Sequence, residues 1–321
     1  MRILISGAAG FLGSHLADLL ISRGHDVVGI DNLFTGRREN IAHLKGRPKF
    51  TLIEQDITTP ITIDGPIDQI YHLASPTILS AYLQYRIATL RVNSVGTFNL
   101  LELALEKNAR ILTASTFDIY GDPAVSPQRE DYLGYVNPTG LRSAYEESKR
   151  FAEACTMSYN RERGADTRIV RIFNTFGPRL DPYDGRVVTT FTRQALAGEP
   201  ITVFGDGTQG RSLCYVSDMV EGLALAMDCD FYEPINLGNP EPVTVIQLAR
   251  EILELVPESK SKITFLPSPE YDPKVRRPDI TRARQILGWS PKVSRKEGLG
   301  TLIRHFREIG TGQRDEGRGP K

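Results

Sequence analysis

"RILISGAAGFLGSHL", residues 2 to 16, runs from a strand-like RILIS through glycines at positions 7, 10 and 13 into an amphipathic stretch. A GxxGxxG run alone is a weak signal. Here a strand precedes it, a helix follows it, and the next strand-like run, DVVGID (26–31), ends in Asp31, 18 residues after Gly13. The glycines permit a tight turn, close approach of backbone to a pyrophosphate and close helix packing, and the helix N-terminus supplies oriented N–H groups. Asp31 would accept hydrogen bonds from the adenosine ribose and repel a 2′-phosphate, so the expected dinucleotide is NAD+, tightly bound, and not NADP. Asp56 closes the third strand-like run, where contact with adenine and an ordinary turn aspartate are equally good readings.

Outward from this stretch, short β-rich runs alternate with amphipathic ones: FTLIEQD (50–56), QIYHLAS (69–75) and ARILTAS (109–115), with TRIVRIFN (167–174) extending the series. Such alternation predicts an α/β fold, a Rossmann-type doubly wound parallel sheet with helices on both faces. From about residue 175 the texture shifts to Gly, Pro and charge (TFGPRLDPYDGR), then a helical VVTTFTRQALAG and a strand-like PITVFGDG. The expected division is a dinucleotide-binding domain over 1–174 and a smaller α/β substrate-binding region over 175–310. YEPINLGNP (232–240) has strand character and returns to the main sheet in this reading. The tail, 311–321, lacks apolar anchors and is expected to be flexible. No internal repeat is present.

With 321 residues, 40% of them hydrophobic, the chain can bury a large core. Its 39 basic and 39 acidic residues cancel, which removes any general electrostatic case for nucleic acid or an anionic membrane. Cys155, Cys214 and Cys229 are odd in number and lack ligand spacing, so neither a disulfide framework nor a structural metal site is expected. A reducing cytoplasm fits. No signal-peptide pattern opens the chain, and no apolar run approaches the roughly 20 residues that span a bilayer.

Tyr145 and Lys149 in RSAYEESKRFAEA are four apart in a helical segment and share one face. A free tyrosine, with a pKa near ~10, is a poor base, but a nearby ammonium and a nicotinamide cation both favour its phenolate. Such a tyrosine can take a proton from a sugar hydroxyl as hydride leaves the same carbon. Upstream, ILTASTFDIYGDP (111–123) ends an apolar run in Ser115 and Thr116.

Glycine loop, strand-end Ser/Thr and YxxxK together resemble the extended short-chain dehydrogenase/reductase family in its sugar-nucleotide branch, and the likeness extends to RRPDITRARQILGWSPKVSRKEGL (276–299). The resemblance implies that Thr116 hydrogen-bonds the reacting 4-hydroxyl beside Tyr145 and that Lys149 lowers the Tyr145 pKa and holds the nicotinamide ribose. It also implies cofactor contacts from Phe11, Leu12, Asn32, Ile57, Leu73, Ala74 and Asn93. The blocks NPTGLRSAYEESKR, RIFNTFGPRLDPYDGRVV and QALAGEPITVFGDGTQGRSLCYVSD are similar to the UDP-glucuronate decarboxylase group. A UDP-hexuronate would then be the substrate, with Asn174, Arg211 and Arg276 on the diphosphate, Arg186 reaching the hexuronate carboxylate, and Pro76, Ser115, Phe117, Arg179, Val187, Thr202 and Phe204 completing the wall. Guanidinium forks suit phosphate oxygens. A homodimer through a four-helix bundle of LRVNSVGTFNLLELALEK (90–107) and YEESKRFAEACTMSYNRERG (145–164) is also implied, set against an intramolecular core stripe.

The pattern departs from that group after the strand. Where the group reads Ser-Thr-Ser-Glu-Val-Tyr-Gly, this chain has Ser115-Thr116-Phe117-Asp118-Ile119-Tyr120-Gly121. The group's Glu assists the steps after C4 oxidation, and Asp118 is one methylene shorter; a reach error near 1 Å costs about 100-fold in rate. The first reading is therefore UDP-glucuronate 4-epimerase, with Arg186 restraining the carboxylate, and the alternative is UDP-glucuronate decarboxylase giving UDP-xylose. A catalytically silent NAD-binding regulator is a third class. Retention of both Tyr145 and Lys149 speaks against it.

Overall fold

Valine, isoleucine and leucine dominate the short runs, and in the computed structural model, which describes residues 1–268 and 275–310, six of them become strands. These are β1 (Arg2–Ser6), β2 (Asp26–Asp31), β3 (Phe50–Glu54), β4 (Gln69–His72), β5 (Arg110–Thr116) and β6 (Thr167–Ile172). A seventh, Ile235–Leu237, lies beside β6, and the sheet order is that strand, then β6, β5, β4, β1, β2, β3. All neighbours are parallel. A parallel sheet is covered on both faces, which is why its strands read as apolar runs without alternation. The order reverses between β1 and β4, and at that point the carboxyl ends diverge to leave a crevice.

The helices are α1 (Phe11–Ser22), α2 (Leu79–Gln84), α3 (Arg86–Lys107), α4 (Ser143–Arg163), α5 (Val187–Ala197), α6 (Val216–Asp228), α7 (Val245–Leu255), α8 (Thr281–Leu287) and α9 (Arg295–Ile309). Ile3 and Ile5 of β1 pack with Leu16, Leu20, Val220 and Leu223 from α1 and α6. Leu4, between them, faces the other side, against Leu100, Leu101 and Ala104 of α3 and Cys155 of α4. Each such fully buried side chain stabilises the fold by roughly 1.5–3 kcal/mol. A separate core joins α5, α7 and α9 through Phe191, Leu248, Ile252, Leu302 and Phe306.

Several strands are shorter than the sequence runs. β3 stops at Glu54 because Asp56 folds back to accept the Thr58 N–H at 2.8 Å. β6 stops at Ile172, and Thr175–Phe176 pairs instead with Cys214–Tyr215. That change of partner carries the chain out of the main sheet into the smaller lobe. There Ile201–Phe204 pairs with Ile263–Leu266, and Gly210–Ser212 pairs with Pro242–Thr244 and Val275–Arg276. The flexible tail expected over 311–321 lies outside the described residues. Among the described residues no helix is long and apolar enough to cross a membrane.

Candidate active site

A cleft of about 1320 Å³ opens at the carboxyl ends of the strands and is lined from both lobes. Its first wall is the glycine loop. Gly7 has φ +78°, and a Cβ there would lie 2.9 Å from the Ala74 backbone; at Gly13 it would lie 2.1 Å from the Gly7 carbonyl oxygen. Only glycine lets this turn sit under α1. Gly10 caps α1 with no side-chain hydrogen bond, so the first-turn N–H groups are left to the cleft that Phe11, Leu12 and Gly13 line. Unsatisfied N–H groups and the positive end of the helix dipole suit a pyrophosphate. This cradle fits a dinucleotide.

Asp31 occupies the expected strand end, but its two oxygens already accept the Ala9 N–H at 2.9 Å and the Leu33 N–H at 2.8 Å. It therefore braces the loop, and each oxygen keeps a second lone pair for a ribose hydroxyl. Burial pushes its carboxyl pKa up. Asn32 donates to Asp56 at 3.1 Å. Leu73 lines the cleft. Ile57, Ala74, Pro76 and Asn93 are set behind it: Ile57 lies under Gly96 of α3, Ala74 under Gly7, Pro76 is buried, and Asn93 donates to Ser148 at 3.0 Å.

At the opposite end the predicted pair converges. α4 carries Tyr145, 4% exposed, and Lys149, 3% exposed, against the end of β5. The Lys149 ammonium donates to the Ala114 carbonyl at 2.9 Å. Burial lowers its pKa to about 8, with Glu153, one turn on, working the other way. Burial drives the Tyr145 phenol up, Asp118 adds to this, and the Thr116 hydroxyl and then Arg186 pull it down. In this geometry the Arg186 guanidinium is a charge that favours the phenolate. Thr116 donates to Asp118 at 3.3 Å and accepts the Asp118 N–H at 3.2 Å.

Ser115 also lines the cleft. Neighbours on a strand face opposite sides, and the Ser115 hydroxyl points to buried Glu153 at 2.5 Å. Glu153 is clamped by Arg171 at 2.9 and 2.8 Å. Arg276, expected on the diphosphate, lines the cleft beside Asp118, 3.1 Å away, with Arg142 on the same carboxylate oxygen at 2.5 Å. Arg179 pairs with Asp18 of α1 at 2.6 Å. Arg186 meets Asp184 at 3.5 Å and donates to Thr77 at 3.3 Å, across the cleft. Asn174, Val187, Thr202, Phe204 and Arg211 line the smaller lobe's side.

Arg142 and Tyr82 are among the residues of this wall that escape the sequence reading. Arg142 had a faint signal, since it precedes Tyr145 by three and pairs with Glu146 at 2.9 Å in the i,i+4 geometry of a helix start. Tyr82 had none. Its ring stacks on Tyr145 with centroids 4.9 Å apart and planes 10° apart, yet the segment around it has no clear periodicity.

The model of the NAD dependent epimerase/dehydratase family matches residues 3–238. The chain belongs to that family. Its cofactor is NAD, and the cradle under α1 fits that assignment. Within and around the family, the chain is 50% identical over 305 residues to UDP-glucuronic acid decarboxylase 1 of Danio rerio, covering 95% of this chain and 72% of that protein. It is 47% identical over 317 residues to UDP-glucuronic acid decarboxylase 2 of Arabidopsis thaliana, covering 99% and 71%. Among solved structures, UDP-glucuronic acid 4-epimerase from Bacillus cereus, in complex with UDP-glucuronic acid and NAD, superposes with a TM-score of 0.85 at 28% identity, covering 97% of this chain and all of that one. UDP-glucose 4-epimerase of Thermotoga maritima gives 0.87 at 31% identity, covering 96% and 99%.

Proposed function

We propose that this chain is a UDP-glucuronate decarboxylase that oxidises C4, releases carbon dioxide from C6 and returns the hydride to give UDP-xylose. This reverses the order in which the two outcomes were read from the sequence. The decarboxylases it resembles are 47–50% identical over nearly the whole chain, whereas the glucuronic acid epimerase is 28% identical.

The observation that carries the reading is the Asp118 carboxylate, paired with both Arg142 and Arg276 beside Thr116. Two guanidiniums, Arg142 and Arg276, face two carboxylates, Asp118 and Glu146, so guanidinium donors stand ready for the C6 carboxylate of a uronate without a large surplus of positive charge. Because Asp118 and Glu146 already answer the guanidiniums, the bound carboxylate is not held as firmly as by two free guanidiniums. A 4-keto acid held loosely loses carbon dioxide; an epimerase must prevent that loss. Arg186, the restraint expected for epimerisation, is engaged by Asp184 and Thr77.

In this reading Tyr145 takes the O4 proton, and Thr116 holds O4 in place. NAD, when bound, supplies the acceptor for the C4 hydride and the source of its return. Lys149 fixes the ribose side of the site and the backbone at Ala114. When the C5–C6 bond breaks, its electron pair flows into C4–C5 and onto O4, where the protonated Tyr145 and Thr116 donate to the developing charge. Asp118, joined to Thr116, takes up a proton from solvent and hands it to C5, so one proton is consumed for each carbon dioxide released and the carboxylate is regenerated. The residues 1–174 are assigned to cofactor and 175–310 to the nucleotide sugar, except that Ile235–Leu237 sits in the first unit's sheet.

The 4-epimerase is kept as the second reading for one reason, Phe117, which puts apolar bulk where the resembled group has Ser. Incubation with UDP-glucuronate and NAD+ separates the two. Stoichiometric carbon dioxide and a pentose product are expected; an unchanged product mass with inverted C4 would overturn the decarboxylase. We also infer a homodimer through α3 and α4, supported by Ile87, Phe98 and Phe151, which remain 74%, 43% and 40% exposed on adjoining helices, with Phe98 and Phe151 in edge contact at 5.8 Å.

A further inference from the structure

Phe117, the departure from the resembled group, faces a cation. The Arg276 guanidinium carbon lies 4.5 Å from the centre of the Phe117 ring. That ring leans on Phe173, centroids 5.3 Å apart, and Phe173 is buried with Ile119 and Tyr120, so the platform is fixed from below. One end of the guanidinium reaches Asp118 at 3.1 Å. Arg276 Nε is buried with no hydrogen-bond partner among the described residues. The ring face and Asp118 are therefore what orient this group, and attraction between a cation and an aromatic face strengthens as water is excluded.

We propose that Phe117 is a specificity-determining positioning residue, whose π face holds Arg276 toward the C6 carboxylate of a uronate and so selects it over a neutral hexose. The inference rests on the uronate reading of the site. It concerns selection of the substrate's charge and is independent of whether carbon dioxide then leaves. Leucine preserves much of the apolar bulk of Phe117 but has no quadrupole; tyrosine preserves the ring.

The test titrates UDP-glucuronate, UDP-glucose and UDP into the NAD-loaded wild type, Phe117→Leu and Phe117→Tyr. Phe117→Leu is expected to lose about tenfold in its preference for UDP-glucuronate over UDP-glucose, equivalent to about 1.4 kcal/mol, with UDP affinity unchanged. Phe117→Tyr is expected to keep the wild-type preference. A Phe117→Leu protein with the wild-type preference overturns the inference, as does a uniform loss that includes UDP, the mark of a merely structural role. A wild type with no preference for the uronate overturns this inference and the functional reading together, so the two failures are distinguishable.

Discussion

Asp118 and Lys149 set opposite demands on one small volume. Asp118 touches Thr116 and two guanidiniums, so replacing it by Asn removes the charge that tempers Arg142 and Arg276 and removes the proposed relay to C5. Asp118→Asn is expected to oxidise C4 and then stall, with reduced cofactor and keto acid accumulating and pentose formation falling about 100-fold, within the range of a lost acid–base group. Rapid-quench mass spectrometry reads this; undiminished pentose formation would remove Asp118 from the mechanism. Lys149 is a buried ammonium whose pKa is lowered to about 8 from 10.5, chiefly by burial. The unfolded chain holds that proton more tightly, so the penalty is full below about pH 8 and fades as pH rises toward 10.5. Lys149→Met should therefore melt higher than wild type at pH 7, lose turnover, and see its stability advantage shrink above pH 8. Thermal melts at pH 7 and pH 10 check this. A lower melting temperature at pH 7 would mean that the bond to Ala114 outweighs burial.

The strand–turn–helix unit was legible because its glycines answer to local sterics. A Cβ at Gly13 would meet backbone, 2.1 Å from the Gly7 oxygen, whereas one at Gly10 meets only that same oxygen at 3.1 Å. Gly13→Ala is thus expected to lower both the melting temperature and the NAD content of purified protein. Gly10→Ala should leave folding nearly intact while weakening NAD, measured by titration. Equal melting losses in the two would show that the cradle has no separate role. The Tyr145/Lys149 pairing was legible for a similar reason, since helical spacing alone puts both on one face of α4. Arg142 and Tyr82 were not, because their positions depend on contacts between elements distant in the chain. Arg142 reaches Asp118, 24 residues upstream, and α2 places Tyr82 on Tyr145. Ser115 and Thr116 show the strand's alternation at its end, one hydroxyl turned to Glu153 and the other to Asp118.

For the whole molecule, the apolar face of α3 and α4 predicts assembly. Phe98→Glu places a carboxylate beside Phe151, and light scattering is expected to report a dimer for the wild type and a monomer for the variant; a wild-type monomer would sink the inferred interface. The seventh strand, Ile235–Leu237, has a different consequence. After β6 the chain leaves for the smaller lobe, returns through α6 to lay this strand beside β6, and leaves again toward Pro242–Thr244. A chimera that borrows a relative's sugar pocket consequently cannot be spliced at one junction. A graft at residue 174 alone would import a foreign edge strand and the helix beneath it, asking two independently tuned surfaces to mate, whereas exchanging two inserts, each bounded on both sides, would leave the sheet with its own seventh member.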